Sequence, residues 1–244
     1  MRLTPTQKRI MLTHVFGTLG AALSMSIAWP QVYRSCVRRR TSGLSATACM
    51  LGVVMPAGWV TYGLLISDPF QVVTNVVAAS TGLAILLALL ITQPRLRSPR
   101  ALLTSGAMAG GVLLAILGIA ALAASPQVSG PVAAGILGTV LAAVSFVSAI
   151  PQPLSLLRDR TQDLSGLSPL RWRLAAAACA SWLLYGLGTG QPAVWASALV
   201  GLTSSLVVNG VLFARRPRRT REVAAATVCW RHDVITRSLA TAGI

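Results

Sequence analysis

Long apolar runs that are almost free of charge constrain this chain more than any other feature. A bilayer core about 30 Å thick needs roughly 20 apolar residues per helical span. The runs are continuous and do not alternate in polarity, so they predict helices rather than barrel strands. Cutting them at Arg-rich or Gly/Pro-rich breaks gives seven predicted spans, at residues 10–33, 44–66, 70–93, 101–124, 131–156, 168–188 and 192–214.

The composition excludes a soluble domain with a polar shell. Hydrophobic residues make up 54% of the chain and charged residues only 11%, and the mean hydropathy is +0.69. The first span follows a short basic stretch, as a signal peptide does, but it is too long for an h-region and lacks a small-x-small cleavage site. It is therefore predicted to be a retained helix.

The basic residues predict the orientation, because short positive loops stay in the cytoplasm. Eighteen of the 21 lysines and arginines lie in loops 34–43, 94–100 and 157–167, at Arg171 and Arg173 just after the last of these loops, or after residue 214. The opposite loops, 67–69, 125–130 and 189–191, contain no lysine or arginine. The C-terminus is therefore predicted to be cytoplasmic and the N-terminus outside, although Arg2, Lys8 and Arg9 oppose this placement.

The chain repeats itself at a nearly constant offset. WVTYGLL at 59–65 returns as WLLYGLG at 182–188, and SGLS at 42–45 returns at 165–168, both 123 residues later. Residues 16–31 match 137–152 at eight of sixteen positions, 121 residues apart. An internal repeat of this kind indicates two copies of one structural unit.

The repeat predicts an all-α integral membrane fold of seven transmembrane helices, in which two parallel three-helix units are joined by a linker helix. Three spans invert the chain and a fourth restores the starting side, so the units are related by an axis along the membrane normal. The predicted parts are a first repeat at 10–93, the linker at 101–124, a second repeat at 131–214, and a basic cytoplasmic tail at 215–244, expected to be disordered.

Several motifs occur in the same order in both copies. A Pro-Gln pair lies near the inner end of the first helix, a basic loop ends in SGLS, and W-x-x-Y-G lies in the second helix; the first copy adds an Asn in the third. Together they resemble the PQ-loop superfamily, and the 3+1+3 plan resembles its SWEET sugar-transporter branch over about residues 10–214. The resemblance implies a solute site between the two repeats, near mid-membrane.

Depth predicts which residues share that site. Trp59 precedes Asp68 by nine residues and Asn75 follows it by seven, so both lie roughly 10–13 Å below the outer surface. Trp182 shares that depth by symmetry. Two indoles could then sandwich an apolar sugar face while Asn75 offers a donor and an acceptor. The alternatives are an interfacial belt for the tryptophans and helix–helix bonding for the asparagine.

The second repeat lacks an expected polar residue. Symmetry with Asn75 predicts an asparagine at position 198, which is alanine, and neighbouring Ser197 could compensate only in part. A polar path toward the inner side is predicted to include Ser24, Ser145 and Ser148, for which helix packing is an equal alternative.

The gates and hinges are predicted from prolines and outer polar residues. A proline removes one helical hydrogen bond and allows a bend, so hinges near the inner gate are predicted at Pro30-Gln31 and Pro151-Gln152. The resemblance implies a further pair of prolines, which Pro169 matches and Ala46 does not. An outer gate is predicted from Tyr62, Tyr185 and Asp68, with a solvated loop aspartate as the alternative reading.

The function predicted from these residues is facilitated uniport of a small neutral sugar. All five acidic residues fall in loops or the tail, so the spans offer no carboxylate to carry protons. Walker A, nucleophile-elbow and C-x-x-C motifs are absent from the sequence, which argues against a pump, an enzyme or a metal site, and no cofactor is expected.

Two other functions stay open: a PQ-loop carrier of an amino acid or another small metabolite, and a non-transporting receptor or sensor on the same fold. The expected partners are a mono- or disaccharide and membrane lipid, with no nucleic acid; a homo-oligomer is also open. Twenty arginines against one lysine suggest a GC-rich source and a bacterial plasma membrane.

Overall fold

The structure is a computed structural model that describes residues 4–41, 44–159 and 169–215. Its described residues form eight α-helices and two short helical turns. The helices are α1 (Pro5–Val32), α2 (Ala46–Leu65), α3 (Pro69–Thr92), α4 (Pro99–Ala123), α5 (Gly130–Ala149), α6 (Pro151–Arg158), α7 (Pro169–Thr189) and α8 (Pro192–Ala214). The predicted integral membrane α fold is confirmed at this level. The 216–244 part of the predicted tail and much of both SGLS motifs lie outside the described residues.

Six segments of the described chain are long and apolar enough to cross a membrane. Their outward faces carry large apolar side chains, for example Leu103, Leu114 and Phe213, each more than 70% exposed. Such faces suit lipid and not water. Helix α7 has the length of a span but does not meet the same apolar criterion, since Arg171 and Arg173 lie in its first turns.

Two predicted span boundaries need correction. The first helix begins earlier than residue 10, at Pro5, and continues past Pro30 into a π-helical turn at Tyr33–Val37. The span predicted over 131–156 is part of one apolar segment from Gly130 to Arg158, but its regular helix is interrupted at Ile150, between α5 and α6. Proline cannot donate to the preceding turn, which explains why the regular helix stops there.

The outer hairpins of the two repeats have the same construction. Asp68 is the N-cap of α3 and Gln191 the N-cap of α8, and each is followed by a proline at the first helical position. The residue before each cap has a left-handed backbone, with φ of 56° at Ser67 and 71° at Gly190. The two chain reversals are thus equivalent at the level of single dihedral angles.

The two triplets pack reciprocally. The first helix of one repeat lies against the second helix of the other, so that α1 contacts α7 and α5 contacts α2. Within each repeat the second and third helices pair closely, α2 with α3 and α7 with α8. The linker α4 packs against α2 and α5, where Ile116 and Leu141 belong to the main apolar core.

Hydrogen bonds tie the inner helix ends together. The Thr41 and Thr92 hydroxyls lie 2.6 Å apart, and the Gln93 amide donates to the Thr41 carbonyl. In the second repeat, Arg215 donates to the carbonyls of Asp159 and Leu156. Basic residues near helix C-termini also complement the helix dipole there.

Candidate functional site

A cavity of about 230 Å³ lies between the two repeats. It is lined from the first repeat by α1, α2 and α3 and from the second by α7 and α8. The lining residues are Ser24, Trp59, Gln71, Thr74, Asn75, Ala78, Cys179, Trp182, Val194, Ser197 and Ala198. Five residues predicted from the sequence therefore lie at one cavity: Ser24, Trp59, Asn75, Trp182 and Ser197.

Both tryptophans of the repeated motif line this cavity. The Trp182 indole nitrogen donates to the Ser24 hydroxyl at 3.0 Å, which fixes that ring across the boundary between the repeats. Each indole also packs edge-on against the tyrosine one turn further out, Trp59 against Tyr62 and Trp182 against Tyr185. Both rings are therefore held by neighbours on their edges while part of each contacts the cavity.

Helix α3 supplies the polar wall. The Asn75 amide donates to the Gln71 carbonyl at 2.9 Å and to the Gln71 side-chain oxygen at 3.1 Å. Its donors are thus engaged, and its carbonyl oxygen is the group left for the cavity. The facing positions on α8 are apolar apart from Ser197, since Val194 and Ala198 also line the cavity. The α8 side therefore carries fewer polar groups than the α3 side, in agreement with the departure noted at position 198.

A hydrogen-bonded cluster of Asp68, Tyr185 and Gln191 joins the two repeats where the sequence predicts an outer gate, and we use that name for it. The Tyr185 hydroxyl donates to Asp68 Oδ2 at 2.8 Å and the Gln191 amide donates to the same oxygen at 2.9 Å. Asp68 Oδ1 accepts from the Gln71 backbone N–H at 3.1 Å. Asp68 is only 4% exposed, so the alternative of a solvated loop residue is wrong.

The tyrosines of the two motifs fit against glycines of the opposite repeat. A Cβ atom on Gly17 would lie 2.9 Å from the Tyr185 ring, and one on Gly138 would lie 2.9 Å from the Tyr62 ring. Both contacts join the first helix of one repeat to the second helix of the other. Tyr62, which we predicted to act with Asp68, thus packs in the core, and its hydroxyl makes no described hydrogen bond to that carboxylate.

Other predicted residues lie away from the cavity. Ser145 is half-buried and Ser148 is exposed, and neither lines it. Pro30 lies inside α1, and the Gln31 amide donates to the buried Ser35 hydroxyl at 2.8 Å. The side chains of Pro151 and Gln152 are not among those described.

The proline predicted as a third hinge lies at the start of the described part of α7. Pro169 is the first described residue of that helix, and its counterpart Ala46 is the first residue of α2. Residues 160–168 lie outside the described residues, so the hinge at Pro169 stays a prediction.

Sequence reasoning missed several lining residues. Gln71 lies one turn before Asn75, so the 3.6-residue period could have placed it on the same face. Thr74 and Cys179 carry no such signal, because a single hydroxyl or thiol in an apolar helix looks the same facing lipid or facing a cavity. Gln191 could have been found from its position 123 residues after Asp68.

Comparisons with known proteins agree with this geometry. The family model described as "Sugar efflux transporter for intercellular exchange" matches residues 15–96, which include most of the first repeat. The solved structure of a eukaryotic SWEET transporter superposes with a TM-score of 0.66 at 14% sequence identity, covering 84% of this chain and 97% of that one. The chain has the SWEET fold. No curated protein matches it in sequence.

The resemblance to the PQ-loop superfamily, first seen in the Pro-Gln, SGLS and W-x-x-Y-G motifs, is confirmed by the family model and the solved structure together. The superposition with the solved SWEET structure covers 84% of this chain, whereas the match to the family model ends at residue 96.

Proposed function

We propose that this protein carries a small neutral sugar across the membrane by facilitated uniport, with the solute bound in the cavity between the repeats. The matching family model is described as a sugar efflux transporter, and the superposed structure is a SWEET transporter. Both relatives support a transporter rather than an enzyme.

The observation that carries the proposal is the cavity lining. Trp59 and Trp182 come from opposite repeats and meet the same space, with Asn75 on the wall between them. A sugar ring has an apolar C–H face and a rim of hydroxyls, so it suits indole faces combined with a few polar groups. The volume of about 230 Å³ lies below the roughly 300–1,000 Å³ of sites for drug-sized ligands. It favours a monosaccharide over a disaccharide.

Alternating access would proceed through the outer gate. Tyr185 and Gln191 of the second repeat both donate to Asp68 of the first, so opening the outer side must break two hydrogen bonds to a carboxylate. The Pro-Gln pairs at residues 30–31 and 151–152 would be the hinges at the inner end. Pro30 lies inside α1 shortly before its π-helical turn, and Pro151 is the first residue of α6.

The transport would be passive. None of the described residues that line the cavity is acidic or basic, so the site offers no side chain that would carry a proton with the solute. The orientation proposed is N-terminus outside and C-terminus in the cytoplasm, in a bacterial plasma membrane.

Transport by purified protein in liposomes tests this function. Uptake of radiolabelled glucose should follow its gradient and should exchange against unlabelled glucose inside, whereas liposomes without protein should show neither. An imposed pH gradient or membrane potential should leave both rates unchanged. Uphill accumulation driven by protons would refute uniport, and inhibition by amino acids but not by sugars would favour the metabolite carrier.

A further inference from the structure

Three buried side-chain polar atoms have no hydrogen-bond partner in the described part of the chain: Thr74 Oγ1, Ser197 Oγ and Gln191 Oε1. All three belong to residues at the boundary between the repeats. A buried polar atom left unpaired costs free energy, so nearly all such atoms in proteins find a partner. The two hydroxyls therefore require an explanation.

A hydroxyl in a transmembrane helix has a default partner, the carbonyl one turn earlier. Thr18, Thr61 and Thr81 follow this pattern, donating to the carbonyls of residues 14, 57 and 77 at 2.9–3.1 Å. Thr74 and Ser197 do not. Their hydroxyls are held off the helix backbone.

The position of these two hydroxyls is not random. Thr74 and Ser197 lie 123 residues apart, the offset of the W-x-x-Y-G repeat, so they occupy equivalent positions on α3 and α8. Both line the cavity. Thr74 is only 5% exposed, so bulk water does not satisfy its hydroxyl. Two equivalent residues with unpaired hydroxyls thus line the cavity, one from each repeat.

We propose that Thr74 and Ser197 each hydrogen-bond one hydroxyl group of the solute and so determine which sugars are accepted. The inference rests on the proposed function and extends it to two residues acting as a pair across the boundary. An alcohol both donates and accepts, as a sugar hydroxyl does, so each contact tolerates either direction of the hydrogen bond. Asn75, by contrast, presents an acceptor, since its amide donors are bound to Gln71.

The pair gives the site a definite selectivity. A site built to hydrogen-bond a substrate hydroxyl rejects the analogue that lacks it, because its own polar group is then left unpaired. Deoxy sugars missing a contacted hydroxyl should bind about tenfold more weakly than the parent sugar, which corresponds to about 1.4 kcal/mol. Deoxygenation at positions that face the indoles should cost less.

Binding of glucose and its 2-, 3-, 4- and 6-deoxy derivatives to the full chain in detergent tests the proposal. Thr74→Val and Ser197→Ala should each raise the Kd for glucose about tenfold. In each variant, one deoxy derivative should bind as tightly as glucose does, because the residue that contacted the missing hydroxyl is gone. That derivative should differ between the two variants. Thr74→Ser, unlike Thr74→Val, keeps a hydroxyl and should bind glucose and its deoxy derivatives as the wild type does.

Thr81→Val is the matched control, because Thr81 is a buried threonine two turns further along α3 whose hydroxyl is already bound to the helix backbone. It should leave the Kd unchanged. An equal loss in Thr81→Val would mean that the threonine variants act through packing, and the proposal would fail.

The remaining outcomes separate this proposal from the proposed function. If the wild-type protein binds glucose but the two variants bind it with unchanged Kd, the hydroxyls do not contact the solute and only the pair is refuted. A wild-type profile that is flat across the four deoxy derivatives refutes it without any variant. If neither glucose nor any other sugar binds, the proposed function and the pair fail together.

Discussion

The residues of W-x-x-Y-G make three different contacts. The tryptophan lines the cavity, and the tyrosine packs against a glycine of the opposite repeat. The final glycine lets the second and third helices approach, since a Cβ on Gly63 would lie 3.1 Å from the Val72 nitrogen and one on Gly186 would lie 2.7 Å from the Trp195 nitrogen. The motif therefore contributes to the cavity lining, to the interface between the repeats and to the packing of each hairpin.

Replacing either cavity tryptophan should weaken sugar binding. Trp59→Ala and Trp182→Ala are each expected to lose about 1–3 kcal/mol of aromatic contact, which raises the Kd roughly tenfold or more. Trp29→Ala is the matched control, because Trp29 is 58% exposed on the lipid-facing surface of α1. Unchanged Kd in both cavity variants, with normal folding, would place the solute elsewhere.

Position 198 should accept the polar group that the second repeat lacks. Ala198 lines the cavity opposite the α3 wall, so Ala198→Asn places an amide where symmetry expects one. We expect normal folding and transport of a wider range of sugars, measured by competition in proteoliposomes. Asn75→Ala should do the reverse and weaken binding. A folded Ala198→Asn protein that transports nothing would contradict this expectation.

The left-handed residues of the outer hairpins should respond to substitution in opposite directions. Gly190→Ala places a Cβ at φ 71° and should cost about 1 kcal/mol of stability. Ser67→Gly relieves the equivalent strain at φ 56° and should be neutral or stabilising by up to about 1 kcal/mol. Thermal unfolding in detergent measures both changes. A higher Tm for Gly190→Ala would show that the hairpins relax.

At the scale of the element, periodicity and symmetry predicted the long helices and brought Trp59, Asn75 and Trp182 to one depth. They could not predict the helix geometry that the backbone adopts at each Pro-Gln pair. Proline removes one hydrogen bond, but α1 continues through Pro30 into a π turn while α5 ends before Pro151. Sequence symmetry also does not specify which serine bonds an indole: the Trp182 ring bonds Ser24, whereas Ser145 does not line the cavity.

The outer gate joins α7 and α8 to the start of α3, so weakening it should expose the cavity from outside. Tyr185→Phe removes one of two inter-repeat hydrogen bonds to Asp68. The test uses a protein whose only cysteine is Cys179, a cavity residue. A membrane-impermeant thiol reagent added outside should modify Cys179 several-fold faster in the Tyr185→Phe variant than in the same single-cysteine protein without that substitution. Tyr62→Phe is the matched control. Equal rates for all three proteins would show that this hydroxyl does not hold the gate.

One of the N-terminal basic residues that oppose the predicted orientation, Arg9, has a local explanation in α7. The Arg9 guanidinium donates twice to the Gly188 carbonyl, at 2.9 and 3.2 Å. A cation at a helix C-terminus is stabilised by the helix dipole and by the unpaired carbonyls there. Arg9 therefore has a structural partner on the side where positive residues are otherwise rare.

At the scale of the whole molecule, orientation can be measured directly. A reporter active only in the cytoplasm should work when fused at residue 244 and should fail when fused after residue 128. The reason is the excess of basic residues at the helix ends joined by loops 34–43, 94–100 and 157–167. The opposite pattern would reverse the proposed orientation.

The reciprocal glycine–tyrosine contacts bear on how such a chain can change over evolution. A larger residue at Gly17 would meet Tyr185 and Phe70, and one at Gly138 would meet Ala193 and Tyr62. A substitution at either glycine therefore requires compensating changes at these neighbours. The cavity positions can change independently in the two repeats, as the pairing of Asn75 with Ala198 shows. A duplicated chain of this kind can keep its halves fitted together while selection alters one wall of the cavity at a time, which gives new solute preferences without a new fold.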